Sequence, residues 1–182
     1  MLEFLKMLNQ SSAKQLNKSP ASTDELVDLI GGNSLYDGAY FILNRLMSSK
    51  CTELCLLLAP NFKGYITAIG HDWLGNIYAA DTSRMMDGHP LILYFDVNSQ
   101  EVLNTQQNLI EFHGNTLTSQ GEGVLRLGEY DKWTESGLPL KDASRCIGYT
   151  IPLALGGSTE LDNMEEVDIE VYWELTGQIG AP

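Results

Sequence analysis

Basic residues are scarce in this chain: 11 Lys and Arg stand against 24 Asp and Glu in 182 residues, a formal charge of −13. A surface of that sign repels phosphate, which disfavours nucleic acid and anionic membranes as direct partners. The deficit is uneven. Between Lys63 and Arg126 the only basic residue is Arg84, and none follows Arg145. That final stretch carries Glu160, Asp162, Glu165, Glu166, Asp168, Glu170 and Glu174. Such a tail either attracts a basic protein at long range or is a solvated face that keeps the chain soluble. On the first reading Glu160, Asp162, Glu165 and Glu166 are the candidate partner-binding residues.

Long apolar runs are missing as well. The longest, Cys55-Leu56-Leu57-Leu58-Ala59, is far short of the ~20 residues of a membrane span. Met1-Leu2-Glu3-Phe4-Leu5-Lys6 has no basic region followed by an apolar core, so no signal peptide is expected and the location reads as cytoplasmic. Cysteine is sparse. Cys51 and Cys55 lie at i,i+4 with no CxxC and no nearby His at metal spacing, and read as reduced, buried thiols. No metal and no cofactor are expected.

What is present is globular composition, 43% hydrophobic, without repeat or low-complexity tract. One domain over residues 1–182 is the expectation, with residues 1–20 able to form a peripheral amphipathic helix through Phe4, Leu5 and Leu8 that ends before Pro20. Ser22-Thr23-Asp24-Glu25 has capping-box form, Leu26, Leu29 and Ile30 give an apolar face, and Gly31-Gly32 supplies a stop. Residues 39–43 read as a short buried strand, although Tyr40, Leu43 and Met47 also fit a helix. A helix is expected over 50–59, after Ser49 and before Pro60. Strands are expected near 65–69, 76–80, 91–95 and 101–103, with hairpin turns at 72–76 and 96–100 that imply a meander. Residues 109–125 read as helix broken by Gly114, Gly121 and Gly123, followed by loop until Cys146. Val167, Ile169, Val171, Trp173 and Leu175 alternate as in a strand, while Val171, Leu175 and Ile179 have helical spacing. This order predicts an α+β fold with helices on one face of an antiparallel sheet.

Chemistry is thinly represented. His71-Asp72 is the best acid–base pair, but it has no Ser or Cys nucleophile with an oxyanion-type glycine signature, and reads as turn structure. His89 and His113 sit beside glycine or proline breaks. Leu155-Gly156-Gly157-Ser158 lacks the Lys of a P-loop and the spacing of GxGxxG, and reads as a close backbone approach. The acids of 160–174 do not match an EF-hand loop. Trp73, Trp133 and Trp173 read as core residues. No enzyme signature survives.

Three stretches resemble the SUKH superfamily, the SMI/KNR-like domains, and within it the branch containing the C-terminal domain of type VI secretion immunity proteins. The first is Gly31-Gly32-Asn33-Ser34-Leu35-Tyr36-Asp37-Gly38-Ala39-Tyr40. The second is Gly70-His71-Asp72-Trp73-Leu74-Gly75-Asn76-Ile77-Tyr78-Ala79-Ala80-Asp81, where Asn76 replaces a common Arg. The third runs from Cys146-Ile147-Gly148-Tyr149 through Pro152-Leu153-Ala154-Leu155-Gly156-Gly157 and Asn163-Met164-Glu165 to Val171-Tyr172-Trp173-Glu174, with Met164 for a common Leu. Asp72, Trp73, Gly75, Gly156 and Gly157 are the structural motif residues. The resemblance implies N-terminal helices and a C-terminal helix, over residues 168–178, packed on a twisted, mostly antiparallel sheet. It implies a non-catalytic protein-binding domain: an immunity protein neutralising a basic, nuclease-like toxin, or else an intracellular scaffold or regulatory module. A small-molecule or nucleotide binder using Gly156-Gly157 is the third alternative.

Overall fold

The computed structural model describes residues 22–137 and 139–180; the helix expected within residues 1–20 lies outside them. Helix α1 (Thr23–Ile30) starts where the Ser22 hydroxyl accepts the Glu25 N–H at 3.2 Å, and positive φ at Gly32 (+89°) ends the turn after it. Its buried face is Leu26, Val27 and Ile30, not the expected Leu29, which is 46% exposed. Strand β1 (Ser34–Leu35) and a tight turn lead into β2 (Tyr40–Ile42), buried at all three positions. The strand reading therefore holds here. The helical option ends at Asn44, whose side chain accepts the Met47 N–H at 3.0 Å and starts α2 (Arg45–Leu58). That start lies five residues before the expected one, and Ser49 is inside the helix. Two hydroxyls tie α2 to the next strand: Ser48 Oγ donates to Ala68 O (2.6 Å), and Thr52 Oγ1 accepts from Ala68 N (2.9 Å).

Strands β3 (Ile66–Asp72), β4 (Ile77–Met86), β5 (His89–Asp96) and β6 (Glu101–Asn108) complete a six-stranded antiparallel meander in chain order β1 to β6. All four outrun their expected lengths. Asp87 (φ 52°) and Gly88 (φ 78°) form the two-residue β4–β5 turn; both positive angles match the Asp-Gly hairpin preference. Helices cover both faces of this sheet, not one as expected. Ile77, Ala79, Leu93 and Phe95 face α2 and the C-terminal helix. Tyr78, Ala80 and Ile92 face α1 and the 109–125 segment. Consecutive apolar residues in β4 and β5 are the pattern of strands covered on both sides.

Beyond β6 the chain runs through α3 (Leu109–Glu111), a single π turn (Phe112–Thr116), α4 (Leu117–Ser119) and α5 (Gly121–Leu125). The expected loop is partly wrong, because α6 (Leu127–Ser136) follows. Only Tyr130 of α6 is buried, so the segment carries little hydrophobic periodicity. Strands β7 (Arg145–Tyr149) and β8 (Met164–Asp168) form a separate antiparallel hairpin, and α7 (Ile169–Gly180) ends the described chain. Tyr172, Trp173 and Thr176 of α7 are buried, while Val171 and Leu175 are 47% and 52% exposed. Alternation misleads there because half of the alternating set faces outward. The fold is α+β, with N-terminal helices and a C-terminal helix packed on an antiparallel sheet.

Candidate partner-binding face

The 72–76 turn is closed to any partner. Asp72 is 3% exposed, and its carboxylate accepts from Leu74 N, Asn76 N and Asn76 Nδ2 at 3.0–3.1 Å. Burial pushes its carboxyl up to about 7, while the donors from Asn76 and Leu74 pull the other way. Trp73 and Trp173 are buried, as expected of core residues; Trp73 Nε1 donates to Leu125 O at 2.7 Å and Trp173 Nε1 to Gly75 O at 2.8 Å. Gly75 has φ +81°, and a Cβ there would lie 2.9 Å from Cys146 Sγ. The turn thus joins the sheet, α5, α7 and β7 at one buried point.

His71 belongs to the same junction. Its ring is fully buried, stacks on Phe41 and lies against two carbonyl oxygens, Asp72 O at 2.9 Å and Ala143 O at 2.8 Å. Burial lowers its pKa. No substrate can reach it for acid–base work. Cys51, Cys55 and Cys146 are buried thiols whose pKa values burial raises. Among the described residues no group of three or more His, Cys, Asp or Glu is placed to hold a metal.

Residues 150–163 behave differently, because they are anchored at the base and open at the top. Asn163 is the anchor: Oδ1 accepts Ile151 N (2.8 Å), and Nδ2 donates to Ile151 O (2.9 Å) and Ser158 O (2.7 Å). A Cβ at Gly157 would fall 1.8 Å from Ile151 O, so the backbone closes on itself there. The N–H groups of Gly156 and Gly157 already donate to Leu153 O and Pro152 O. No phosphate cradle is left. The anchored loop holds Ile151 and Leu155 outward, 55% and 64% exposed. The sequence signal for this display was the apolar 151–155 run ahead of a glycine pair, which reads equally well as core.

Glu160 and Asp162 follow on the same loop, with Glu165 and Glu166 on β8, all four exposed. They are not wholly unneutralised, contrary to what the absence of basic residues after Arg145 suggests. Arg145 Nε reaches Glu166 Oε1 at 3.0 Å across the β7–β8 pair. Glu160 shares a groove with Arg126, Glu129 and Lys132, all distant in sequence, and there Arg126 is already paired with Glu129. Lys50 also pairs with Glu170 at 2.5 Å. Asp162 and Glu165 form no ion pair with a described residue. The segment therefore presents two apolar knobs, followed along the chain by exposed acids, one of which is paired with Arg145.

A family model described as "T6SS immunity protein Tdi1, C-terminal" matches residues 121–180, the part that contains α5, α6, the anchored loop, the β7–β8 hairpin and α7. No curated protein matches the chain. Among solved structures, the crystal structure of Atu4351 from Agrobacterium tumefaciens is similar in fold, with a TM-score of 0.58 at 15% identity, over 80% of this chain and 69% of that one.

Proposed function

We propose that this chain is a non-catalytic immunity protein of the type VI secretion class, forms one domain over residues 1–182, and neutralises a proteinaceous toxin by binding it. The observation that carries this reading is the match of residues 121–180 to an immunity-protein family, over the same stretch that leaves Ile151, Leu155, Glu160, Asp162 and Glu165 exposed. Exposed apolar side chains on a loop already held by hydrogen bonds bury with less backbone ordering than on an unanchored one, and acids nearby in the chain steer a basic surface toward them. A nuclease is such a partner, since it must be basic where it holds phosphate. A net charge of −13 supports that choice.

The test is co-expression in bacteria with the toxin encoded beside this gene. Growth restored by wild type, and not by a Leu155→Asp variant that melts at the wild-type temperature, is the expected result. Growth arrest unrelieved by wild type, with both proteins expressed, removes the proposal.

A further inference from the structure

An opening lined by three aromatic residues, none of them in the anchored loop, lies where β4, β5 and β6 meet the 109–125 segment. It is a groove of about 340 Å³. Tyr78, Tyr94 and Phe112 supply its walls, with ring centroids 5.1 Å apart for Tyr78–Tyr94 and 4.9 Å for Tyr78–Phe112. Asn104, Gln107, Thr116 and Gln120 supply its polar groups, and no charged residue lines it. In a chain with twice as many acids as bases, an uncharged lining is a specific property of this place.

Two breaks in regular structure create the groove. Leu91 and Leu93 of β5 face Asn108 and Asn104 of β6, so β6 carries two extra residues, with Gln106 at φ 58°. A regular strand shows alternate side chains to one face; this bulge lets Leu103, Asn104, Thr105 and Gln107 all line the same opening. Opposite it, the π turn at Phe112–Thr116 places both of its end residues in the lining. Such a turn inside a helical segment is uncommon and recurs at functional sites.

The polar groups are oriented and partly unused. Thr116 Oγ1 donates to Gln107 Oε1 at 2.8 Å, which leaves the Gln107 NH2 as a donor. Asn104 Oδ1 likewise accepts Gln106 N at 2.8 Å, leaving its NH2. Tyr78 and Phe112 are 2% and 1% exposed, and Tyr94, only partly buried, is the ring that the groove leaves open. The partly buried Tyr94 ring favours a flat partner, and side-chain amides select one whose edge both donates and accepts. The neutral lining gives nothing to a phosphate.

We propose that this groove binds a flat, uncharged, hydrogen-bonding heterocycle, of the nucleobase or nucleoside class. The site is separate from the toxin-binding face and does not depend on it.

The experiment is fluorescence and calorimetric titration of the isolated full chain with adenosine, guanosine, cytidine and uridine, and with adenosine monophosphate. Saturable binding of at least one nucleoside is expected, with the monophosphate binding more weakly than adenosine. Asn104→Ala, which removes an unused NH2 of the lining, should weaken the bound nucleoside about fivefold, the scale of one hydrogen bond. Leu103→Trp, at a half-exposed rim position, should abolish binding while the protein melts as wild type. No saturable binding of any nucleoside up to millimolar concentration overturns the proposal. So does a monophosphate that binds more tightly than adenosine, or an affinity that neither variant changes.

Discussion

The 72–76 turn and the 150–163 loop are built from the same materials, glycine with positive φ and an Asx side chain bonded to nearby backbone, and they end in opposite states. In the turn, Asp72 and Asn76 are 3% exposed; the turn's own Trp73 bonds Leu125 O, and Trp173 from the C-terminal helix closes over Gly75. In the loop, Asn163 is buried at the base while Ile151 and Leu155 stand 55% and 64% exposed. The difference is what packs outside the turn. Cys146 and Tyr172 lie within 3.7 Å of a Cβ placed at Gly75, whereas nothing lies within 4 Å of one at Gly156. A recognisable turn motif therefore marks a fixed backbone, and its surroundings determine whether it holds the fold together or presents a surface.

Removing the hub carboxylate should have the largest effect. Asp72→Ala leaves Leu74 N, Asn76 N and the Asn76 amide without their acceptor in a buried site, and a loss of about 3 kcal/mol or more is expected by denaturant unfolding. A loss below ~1 kcal/mol would mean that the turn is not a hub.

The two glycines sharpen the contrast. Both have positive φ, +81° at Gly75 and +87° at Gly156. Gly156→Ala should cost about 1 kcal/mol, from left-handed backbone alone. Gly75→Ala adds a contact with Cys146 and should cost about 2–3 kcal/mol. Gly75→Val should be worse still. Equal melting shifts for the two alanine variants would erase the distinction between the regions.

Titration separates buried from exposed groups too. His113 is fully buried, with Nδ1 3.0 Å from Leu109 O and Nε2 3.3 Å from the Tyr40 hydroxyl. Burial lowers its pKa to about 4. A lowered base stabilises the fold fully above its unfolded pKa and loses that contribution as pH falls through the folded one. Wild type should thus lose stability relative to His113→Gln as pH drops from about 6.5 to about 4. A difference that stays constant with pH would contradict a neutral, buried imidazole.

The smallest effect on stability is expected at the exposed acids. Amide replacement of Asp162, Glu165 and Glu166 should shift stability by under ~0.5 kcal/mol. It should slow association with a basic toxin severalfold at low salt and little at high salt. Because Arg145 already occupies Glu166, Asp162→Asn with Glu165→Gln should retain most of the effect. Stopped-flow rates at several salt concentrations decide it; equal rates for wild type and both variants would leave the apolar knobs alone as the binding surface.

Local sequence determined what depends on near neighbours. The Ser22 cap, the 72–76 and 96–100 turns, and the strands between them are legible because a few adjacent residues set each conformation. The Asp-Gly at 87–88 carried the same kind of signal for the β4–β5 turn. Tertiary structure decided what depends on distant contacts. Helix α6 was invisible because one buried residue, Tyr130, makes almost no periodic pattern. The second covered face of the sheet was missed because an apolar run does not say what will cover it. The acidic tail was legible as charge, yet only the β7–β8 pairing brings Arg145 to Glu166, and only the fold places Arg126 and Lys132 beside Glu160. Composition sums charges along the chain, whereas a partner meets the field of those that folding brings together, and that field depends on through-space distance.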